Sequence, residues 1–217
     1  MSSEDVTPVR QQYLDTKRQH PNAILFFRLG DFYETFDEDA ETIARELDIV
    51  LTSRPVGKGV RVPLAGIPYH AAENYIARLI EKGYKVAIAE QMGTQPVKGI
   101  FPRQVVRVVT PGTLVEPGLL PGDQNNYLAA FVLEDGRCGI AYADITTGEF
   151  AATELDFADG APARAELTRL RPAEIIHPDT LSLPNGAPGH STPLPAYRFE
   201  SGRAAETLRT HFQAATL

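Results

Sequence analysis

The residues with the clearest potential for chemistry form the tripeptide Phe32-Tyr33-Glu34, which follows the turn-forming pair Gly30-Asp31. If this segment is an extended strand, Phe32 and Glu34 share one face and Tyr33 lies on the other. Burying Glu34 without a partner would be costly, so the face that carries it should reach solvent and take Phe32 with it. An exposed aromatic ring beside a carboxylate could stack on a nucleic-acid base while the carboxylate accepts a hydrogen bond from a base N–H. The residues alone leave an alternative open, in which Phe32 belongs to the core and Glu34 is an ordinary surface charge.

Two stretches without acidic residues could supply positive charge to a polyanion. They contain the following basic residues: Arg54, Lys58 and Arg61 within Ile49–Ala72, and Lys98, Arg103 and Arg107 within Gln91–Val115. The net charge of −7 argues against nucleic acid, but residues 1–112 balance 14 basic against 14 acidic residues, whereas residues 113–217 carry 7 and 14. Because salt screens charges beyond about 8–10 Å, local patches matter more to a phosphate than the total does. Acid-free stretches of this length also occur by chance in loops.

Composition excludes several other classes of protein. The single cysteine, Cys138, cannot form an intrachain disulfide and is typical of a reducing cytoplasm. No Cys/His cluster has metal-ligand spacing, and no run approaches about 18 apolar residues. Residues 1–22 lack the apolar segment of a secretory signal. We therefore expect a cytoplasmic protein with no membrane association.

The elements that must position the Phe32-Tyr33-Glu34 segment can be read from periodicity and turn signals. Thr7-Pro8 predicts the start of a helix over about 8–19, Ala23–Leu29 is an apolar strand, and FYETF predicts a second strand antiparallel to it. Asp37 is expected to cap the next helix, whose apolar stripe is Ala40, Ile43, Ala44 and Leu47. A strand DIVLTS and a basic loop RPVGKGVRVP should follow. The next helix has an apolar stripe from Ala72 to Ile80 and a C-cap at Gly83, and after it come the strands YKVAIAE and QVVRVVT. This pattern predicts an α/β domain with a mixed sheet over 1–112.

A turn-rich linker over 113–126 separates this domain from a second one over 127–217, because Pro-Gly pairs recur there. Three short strands joined by EDG and TTG turns predict an antiparallel meander. After it we expect a helix near Ala163–Arg171, the strand AEIIH, a loop over Pro178–Pro195 and a last helix over Arg203–Ala214. This order is that of a ribonuclease H-like α/β domain, which we expect to be only partly contained in the chain.

Asp144 in AYADITTGEF is the one candidate for catalysis, because in nucleases of that fold a strand aspartate helps to hold a divalent metal. A metal site needs several converging carboxylates, and the nearest, Glu149, is separated from Asp144 by a turn. We therefore expect Asp144 to organise the ITTG turn. A magnesium-dependent cleavage assay would test the nuclease alternative.

The sequence also contains three separated blocks: FFRLGDFYETFDEDA, PLAGIPYHAAENYIARLIEKGYKVAIAEQ and RVVTPGTLVE. In order and approximate spacing they resemble the MutS family of DNA mismatch-recognition proteins, over about Thr7–Phe150 and more loosely to Leu217. The resemblance implies a mixed-sheet mismatch-binding domain followed by a partial ribonuclease H-like connector domain. It also implies cytoplasmic, nucleoid-associated localisation and a role in repair of mismatched or looped double-stranded DNA.

The same resemblance implies roles for individual residues. Phe32 would enter the minor groove and stack on the mispaired base, and Glu34 would hydrogen-bond that base. The other DNA-binding candidates are Arg54, Lys58 and Arg61 in the basic loop, Leu64 after it, and Arg103 and Arg107. Each phosphate contact should add about one released counterion to the salt dependence of binding.

The resemblance further implies partners and a cofactor outside these residues. The family carries an ATPase near its C-terminus, and no lysine of this chain stands in the GxxxxGK[ST] pattern that such a site needs. We expect the chain to be the front portion of a longer homodimeric protein, itself without catalytic activity, with ATP and Mg²⁺ bound only by the remainder and with a MutL-like repair partner. The alternative is a protein-interaction role, in which the acidic second domain communicates the protein's state to a partner protein and DNA binding by this chain is weak. A gel shift with mismatched and matched duplexes separates the two.

Overall fold

The computed structural model describes residues 7–57, 60–93, 95–96, 99–115, 120 and 125–216. The chain divides into two compact units, Met1–Thr110 and Pro111–Leu217. In these described ranges, no helix combines the length and the apolar character needed to cross a membrane. The domain boundaries inferred from the sequence stay predictions.

The first unit is built on a six-stranded mixed sheet. Its strands are β1 (Ile24–Leu29), β2 (Phe32–Phe36), β3 (Thr52–Gly57), β4 (Val60–Pro68), β5 (Val86–Gln91) and β6 (Arg103–Val109). Their order across the sheet is β3-β4-β2-β1-β5-β6. Only the pair β1–β5 is parallel, and the other neighbours are antiparallel. The segment FYETF is thus a central strand, which both neighbours hold in register.

Three helices accompany this sheet: α1 (Pro8–Gln19), α2 (Asp37–Leu47) and α3 (Ala72–Glu81). Thr7 caps α1 by accepting a hydrogen bond from the Arg10 backbone N–H at 3.4 Å, as Thr7-Pro8 predicts. Helix α1 covers one face of the sheet, where Tyr13 packs with Phe27 and Phe36 in a buried cluster. Helices α2 and α3 pack against β4 and against each other.

The second unit contains a five-stranded mixed sheet. Its elements are β7 (Tyr127–Glu134), β8 (Arg137–Asp144), β9 (Glu149–Asp156), α4 (Ala161–Leu170), β10 (Glu174–Pro178), β11 (His190–Leu194) and α5 (Ser201–Phe212). The strand order across the sheet is β11-β10-β7-β8-β9. Strands β7, β8 and β9 form the predicted antiparallel meander, and β10 runs parallel to both β7 and β11. Helix α4 buries Ala163, Leu167 and Leu170 against one face of the sheet.

Three predictions, one of a strand and two of loops, are wrong in an instructive way. The segment DIVLTS is not a strand as a whole, because Asp48 ends α2 with a left-handed φ of 55° and pairing begins only at Thr52. The basic segment after it is not a loop, since β3 and β4 pair as an antiparallel hairpin. Likewise β11 lies inside the segment predicted as a Pro/Gly-rich loop. Both β3 and β11 are edge strands, where a proline such as Pro55 or Pro193 is tolerated.

The predicted cap at Asp37 is also wrong. Asp37 is the first residue of α2, with a left-handed φ of 54°, and the capping position belongs to Phe36, which makes no side-chain cap. The Asp37 carboxylate instead forms an ion pair with Arg10 of α1. This pair ties the end of β2 to the helix that covers it.

Candidate nucleic-acid interface

Phe32 is the first residue of β2 and lies at an open end of the sheet. Gly30 lets the chain reverse between β1 and β2 because it adopts a φ of +59°, a region that side chains disfavour. Phe32 is paired with Leu29 of β1 and Pro68 of β4, and it is 46% exposed. The exposure expected for this ring is therefore confirmed.

Tyr33 anchors the strand from the opposite face. It is buried, its ring stacks on Phe26 at 5.9 Å, and its hydroxyl donates to Glu90 of β5. Burial first, and the adjacent Glu90 carboxylate second, raise the pKa of Tyr33 to about 12, so the hydroxyl stays protonated and donates. This anchoring fixes the direction in which Phe32 and Glu34 project from the other face.

Glu34 lies on the same face as Phe32, as the strand alternation predicts, but it is not alone there. Its Oε2 accepts a hydrogen bond from Arg54 Nη1 at 2.6 Å. The two side chains are 20% and 45% exposed, so the pair is partly accessible to water. Arg54 comes from the edge strand β3, and its pairing with Val62 puts it on the same face of the sheet. The structure thus joins a predicted base contact and a predicted phosphate contact in one ion pair.

Arg103 lies on this face too, but its guanidinium serves the protein interior. Its Nε donates to the Arg28 carbonyl at 2.6 Å and its Nη1 to the Phe101 carbonyl at 2.9 Å, while its guanidinium carbon lies 5.1 Å from the centre of the Phe27 ring. Burial lowers the pKa of Arg103, and the nearby Glu34 carboxylate only partly offsets this effect. These internal bonds make Arg103 a poor candidate for a phosphate contact and a good support for the end of β1.

The remaining predicted contacts are dispersed. Arg61 is exposed but lies on the opposite face of the hairpin from Arg54, where it donates to the Ser53 hydroxyl and carbonyl. Leu64 is half-buried beside Phe36 under α1. Arg107 pairs with Ile88 and so lies on the opposite face from Glu34. Lys58 lies outside the described residues. A DNA contact by any of these residues stays a prediction.

Sequence reasoning did not single out Tyr69. This ring is 44% exposed and stacks on the Arg28 guanidinium, whose carbon lies 3.6 Å from the ring centre. The Tyr69 backbone N–H donates to the Asp31 carbonyl at 3.0 Å, which ties it to the turn that precedes Phe32. The available signal was an aromatic residue directly after the proline that ends β4. Phe32 therefore has a second exposed aromatic residue bound to its own turn.

Asp144 has a structural role in the second unit. Its carboxylate is buried and accepts hydrogen bonds from the backbone N–H groups of Thr146, Thr147 and Asn126 and from the Thr146 hydroxyl, at 2.6–3.4 Å. Burial raises the pKa of Asp144, but these hydrogen bonds together outweigh it and hold the pKa below its ordinary value. The prediction that Asp144 organises the ITTG turn is confirmed. In the part of the chain that the structure describes, no three His, Cys, Asp or Glu residues converge as metal ligands do.

Known proteins resemble the chain over both units. Residues 7–117 match the family model of MutS domain I, and residues 126–217 match that of MutS domain II. These matches confirm the predicted class, a mixed-sheet domain of the mismatch-binding type followed by a connector domain. The chain belongs to the MutS family.

Individual relatives agree with this assignment. A DNA mismatch repair protein MutS from Dehalococcoides mccartyi is 56% identical over 218 residues, which cover 99% of this chain and 25% of the relative. Proteins of the same name from Symbiobacterium thermophilum and Roseiflexus castenholzii are 49% and 48% identical, over 100% and 80% of this chain and 26% and 19% of theirs. The chain thus spans about a quarter of the length of its curated relatives or less.

Proposed function

We propose that the chain is the mismatch-recognition and connector part of a DNA repair protein that binds mismatched or looped double-stranded DNA. The observation that carries this proposal is the exposure of Phe32, which is 46% accessible on a central strand. A ring in the core could not leave it without unfolding the sheet, whereas Phe32 is available to a ligand as it stands. The likeness to relatives named as DNA mismatch repair proteins supplies the class of ligand.

The proposed mechanism uses Phe32 as a wedge in the minor groove. Inserting an apolar ring between base steps costs a few kcal/mol of unstacking. A mispair has already lost part of its stacking and pairing, so this cost is lower there than in intact duplex. Discrimination then comes largely from how easily the DNA deforms, and one ring can serve many kinds of mispair. Glu34 adds a contact by accepting a hydrogen bond from the base that Phe32 meets.

The rest of the repair function belongs to the same proposal. By family resemblance, the protein acts as a homodimer and signals to a MutL-like partner, and its ATP- and Mg²⁺-dependent steps take place outside these residues. The two matched domain models and the structural role of Asp144 support a binding function, without catalysis, for the chain itself.

Phe32→Ala in the full-length protein tests the proposal by binding to matched and mismatched duplexes. Loss of one base–aromatic contact is worth about 1–3 kcal/mol, so mismatch affinity should fall about 5- to 150-fold while intact-duplex affinity changes little. Phe150→Ala is the matched control, because Phe150 is 53% exposed on β9 of the other unit. Unchanged discrimination by Phe32→Ala would refute the proposal and favour the protein-interaction role.

A further inference from the structure

The ion pair between Glu34 and Arg54 joins two residues that are both proposed to contact DNA. Glu34 is the proposed base contact and Arg54 a candidate phosphate contact, yet each already holds the other at 2.6 Å. DNA that takes over the same carboxylate oxygen or the same guanidinium nitrogen must replace this bond. The cost of that replacement depends on what the DNA offers to Glu34 in return.

The surroundings of Glu34 identify Arg54 as the partner that can leave. Arg103, the other guanidinium near Glu34, is already bonded to the carbonyls of Arg28 and Phe101. Arg54 is on an edge strand and its side chain is 45% exposed, whereas the Glu34 side chain is 20% exposed. A partly exposed ion pair of this kind contributes little net stability, so it can exchange partners at low cost.

Intact duplex and mispaired duplex differ in what they offer to the carboxylate. On intact duplex the Watson–Crick N–H donors are paired and the minor groove offers mainly acceptors, with the guanine amino group as its one donor. At most positions, moving Arg54 to a phosphate would therefore leave Glu34 unpaired beside a polyanion. At a mispair a base N–H becomes available, and the carboxylate gains a partner when the guanidinium leaves. Phosphate binding by Arg54 is therefore coupled to the state of the base pair.

We propose that Arg54 is a specificity-determining residue that exchanges partners on DNA. It stays bonded to Glu34 in the free protein and on intact duplex, and it moves to a backbone phosphate only when a mispaired base takes its place on the carboxylate. This inference rests on the proposed function and adds to it. A phosphate contact by itself carries no sequence information, but here it forms only where a base is mispaired.

The salt dependence of binding tests this exchange, because each phosphate contact contributes about 0.9 to the slope of log affinity against log salt. In the full-length protein, Arg54→Gln should make the slope on mismatched duplex less steep by about 0.9 and leave the slope on intact duplex unchanged. Between about 50 and about 200 mM salt this change is about 3.5-fold in affinity. Glu34→Gln should make the intact-duplex slope steeper by the same amount, since it releases Arg54.

Two further variants separate this role from a general loss of charge. Arg54→Lys keeps the charge and should keep both slopes close to those of the wild type. Arg61→Gln, on the opposite face of the hairpin, should change the two slopes equally or not at all. Circular dichroism on all variants establishes that the sheet still folds.

The outcomes distinguish this inference from the function on which it rests. If Arg54→Gln changes the slope equally on both duplexes, or on neither, Arg54 does not exchange partners and the inference is overturned, although the protein still discriminates. If the wild type itself binds matched and mismatched duplexes equally, the proposed function fails first. A change confined to mismatched duplex supports the exchange.

Discussion

Strand β2 carries a phenylalanine at each end, on the same face of the sheet, but only one of the two rings is buried. Phe36 is 2% exposed, and its ring meets the Tyr13 ring edge-on at 4.7 Å. Phe32, four residues earlier, is 46% exposed. What differs is the cover: α1 lies over the Phe36 end, while the Phe32 end lies beside the turn to β1. One strand thus serves as core at one end and as a candidate ligand contact at the other.

This contrast shows how a probe can project from a sheet without becoming loose. The covered end of β2 is held by Tyr13, whose hydroxyl accepts from the Phe36 backbone N–H at 3.2 Å and lies 3.1 Å from the buried Asp39 carboxylate. Asp39 also accepts from the Leu25 backbone N–H at 2.9 Å, which joins β1 to the same network. The backbone that carries Phe32 is therefore held in place at the buried end of its own strand, and a side chain on a fixed backbone loses less freedom on binding than one on a mobile loop.

The largest expected effect comes from removing the buried ring. Phe36→Ala should lower the free energy of unfolding by about 3–5 kcal/mol, because it leaves a cavity beneath α1. Phe32→Ala, at the open end of the same strand, should cost about 1 kcal/mol or less. Urea unfolding followed by circular dichroism measures both. Equal losses for the two variants would mean that Phe32 is a core residue and would remove the basis of the comparison.

A second contrast concerns two carboxylates, Asp144 in the second unit and Glu34 in the first. Asp144 is buried with four donors around it, so Asp144→Ala should leave several of them unsatisfied and cost about 2–4 kcal/mol. Because the folded pKa of Asp144 is lowered, its contribution is present above its unfolded pKa and is lost as pH falls through the folded one. The wild type should therefore lose protection of β8 and β9 amides from hydrogen exchange below about pH 4, and the variant should lose less over that window.

The control for Asp144 is Glu154→Ala. Glu154 is an exposed partner of Arg137 at 2.7 Å on the neighbouring strand, and surface pairs of this kind contribute about 0–1 kcal/mol. Similar losses of protection for the two variants would show that the Asp144 hydrogen bonds do not stabilise the turn.

Much of the fold could be predicted because its signals are local. Thr7-Pro8 starts α1 at the predicted residue, the stripe over Ala72–Ile80 lies within α3, and the meander of the second unit follows from its turns. Strand alternation also placed Phe32 on the face of a carboxylate that resists burial, which favoured its exposure, although the same alternation placed the buried Phe36 there. These inferences needed only neighbours in the sequence.

The interactions around Glu34 could not be predicted, because they depend on strand order. Arg54 reaches Glu34 only because β3 pairs with β4 and β4 with β2, which a pattern of residues does not specify. The same holds for Arg103, whose acceptors lie on β1 and just before β6. The acid-free stretches therefore pointed to a set of arginines, whose DNA contacts stay predictions, but not to which of them share a face with Glu34.

The smallest expected effect on stability is that of Glu34, and it is the most informative about binding. Glu34→Ala should change the free energy of unfolding by about 1 kcal/mol or less, since it breaks one partly exposed pair. Affinity for intact duplex should rise, by about 3- to 10-fold, because a charge that repels DNA is gone and Arg54 is released to the phosphates. Affinity for mismatched duplex should fall or stay level, since the base loses its acceptor, and the gap between the two duplexes should narrow.

The control for this charge effect is Glu73→Ala, which removes an exposed carboxylate from α3 and should leave the gap between duplexes unchanged. Fluorescence anisotropy at fixed salt measures both variants against matched and mismatched DNA. A fall in intact-duplex affinity for Glu34→Ala would contradict the argument, because a carboxylate whose loss weakens binding to intact DNA cannot be acting against it. Glu34 would then resemble Asp144, a group whose hydrogen bonds serve the fold, and the two carboxylates would differ only in their exposure to water.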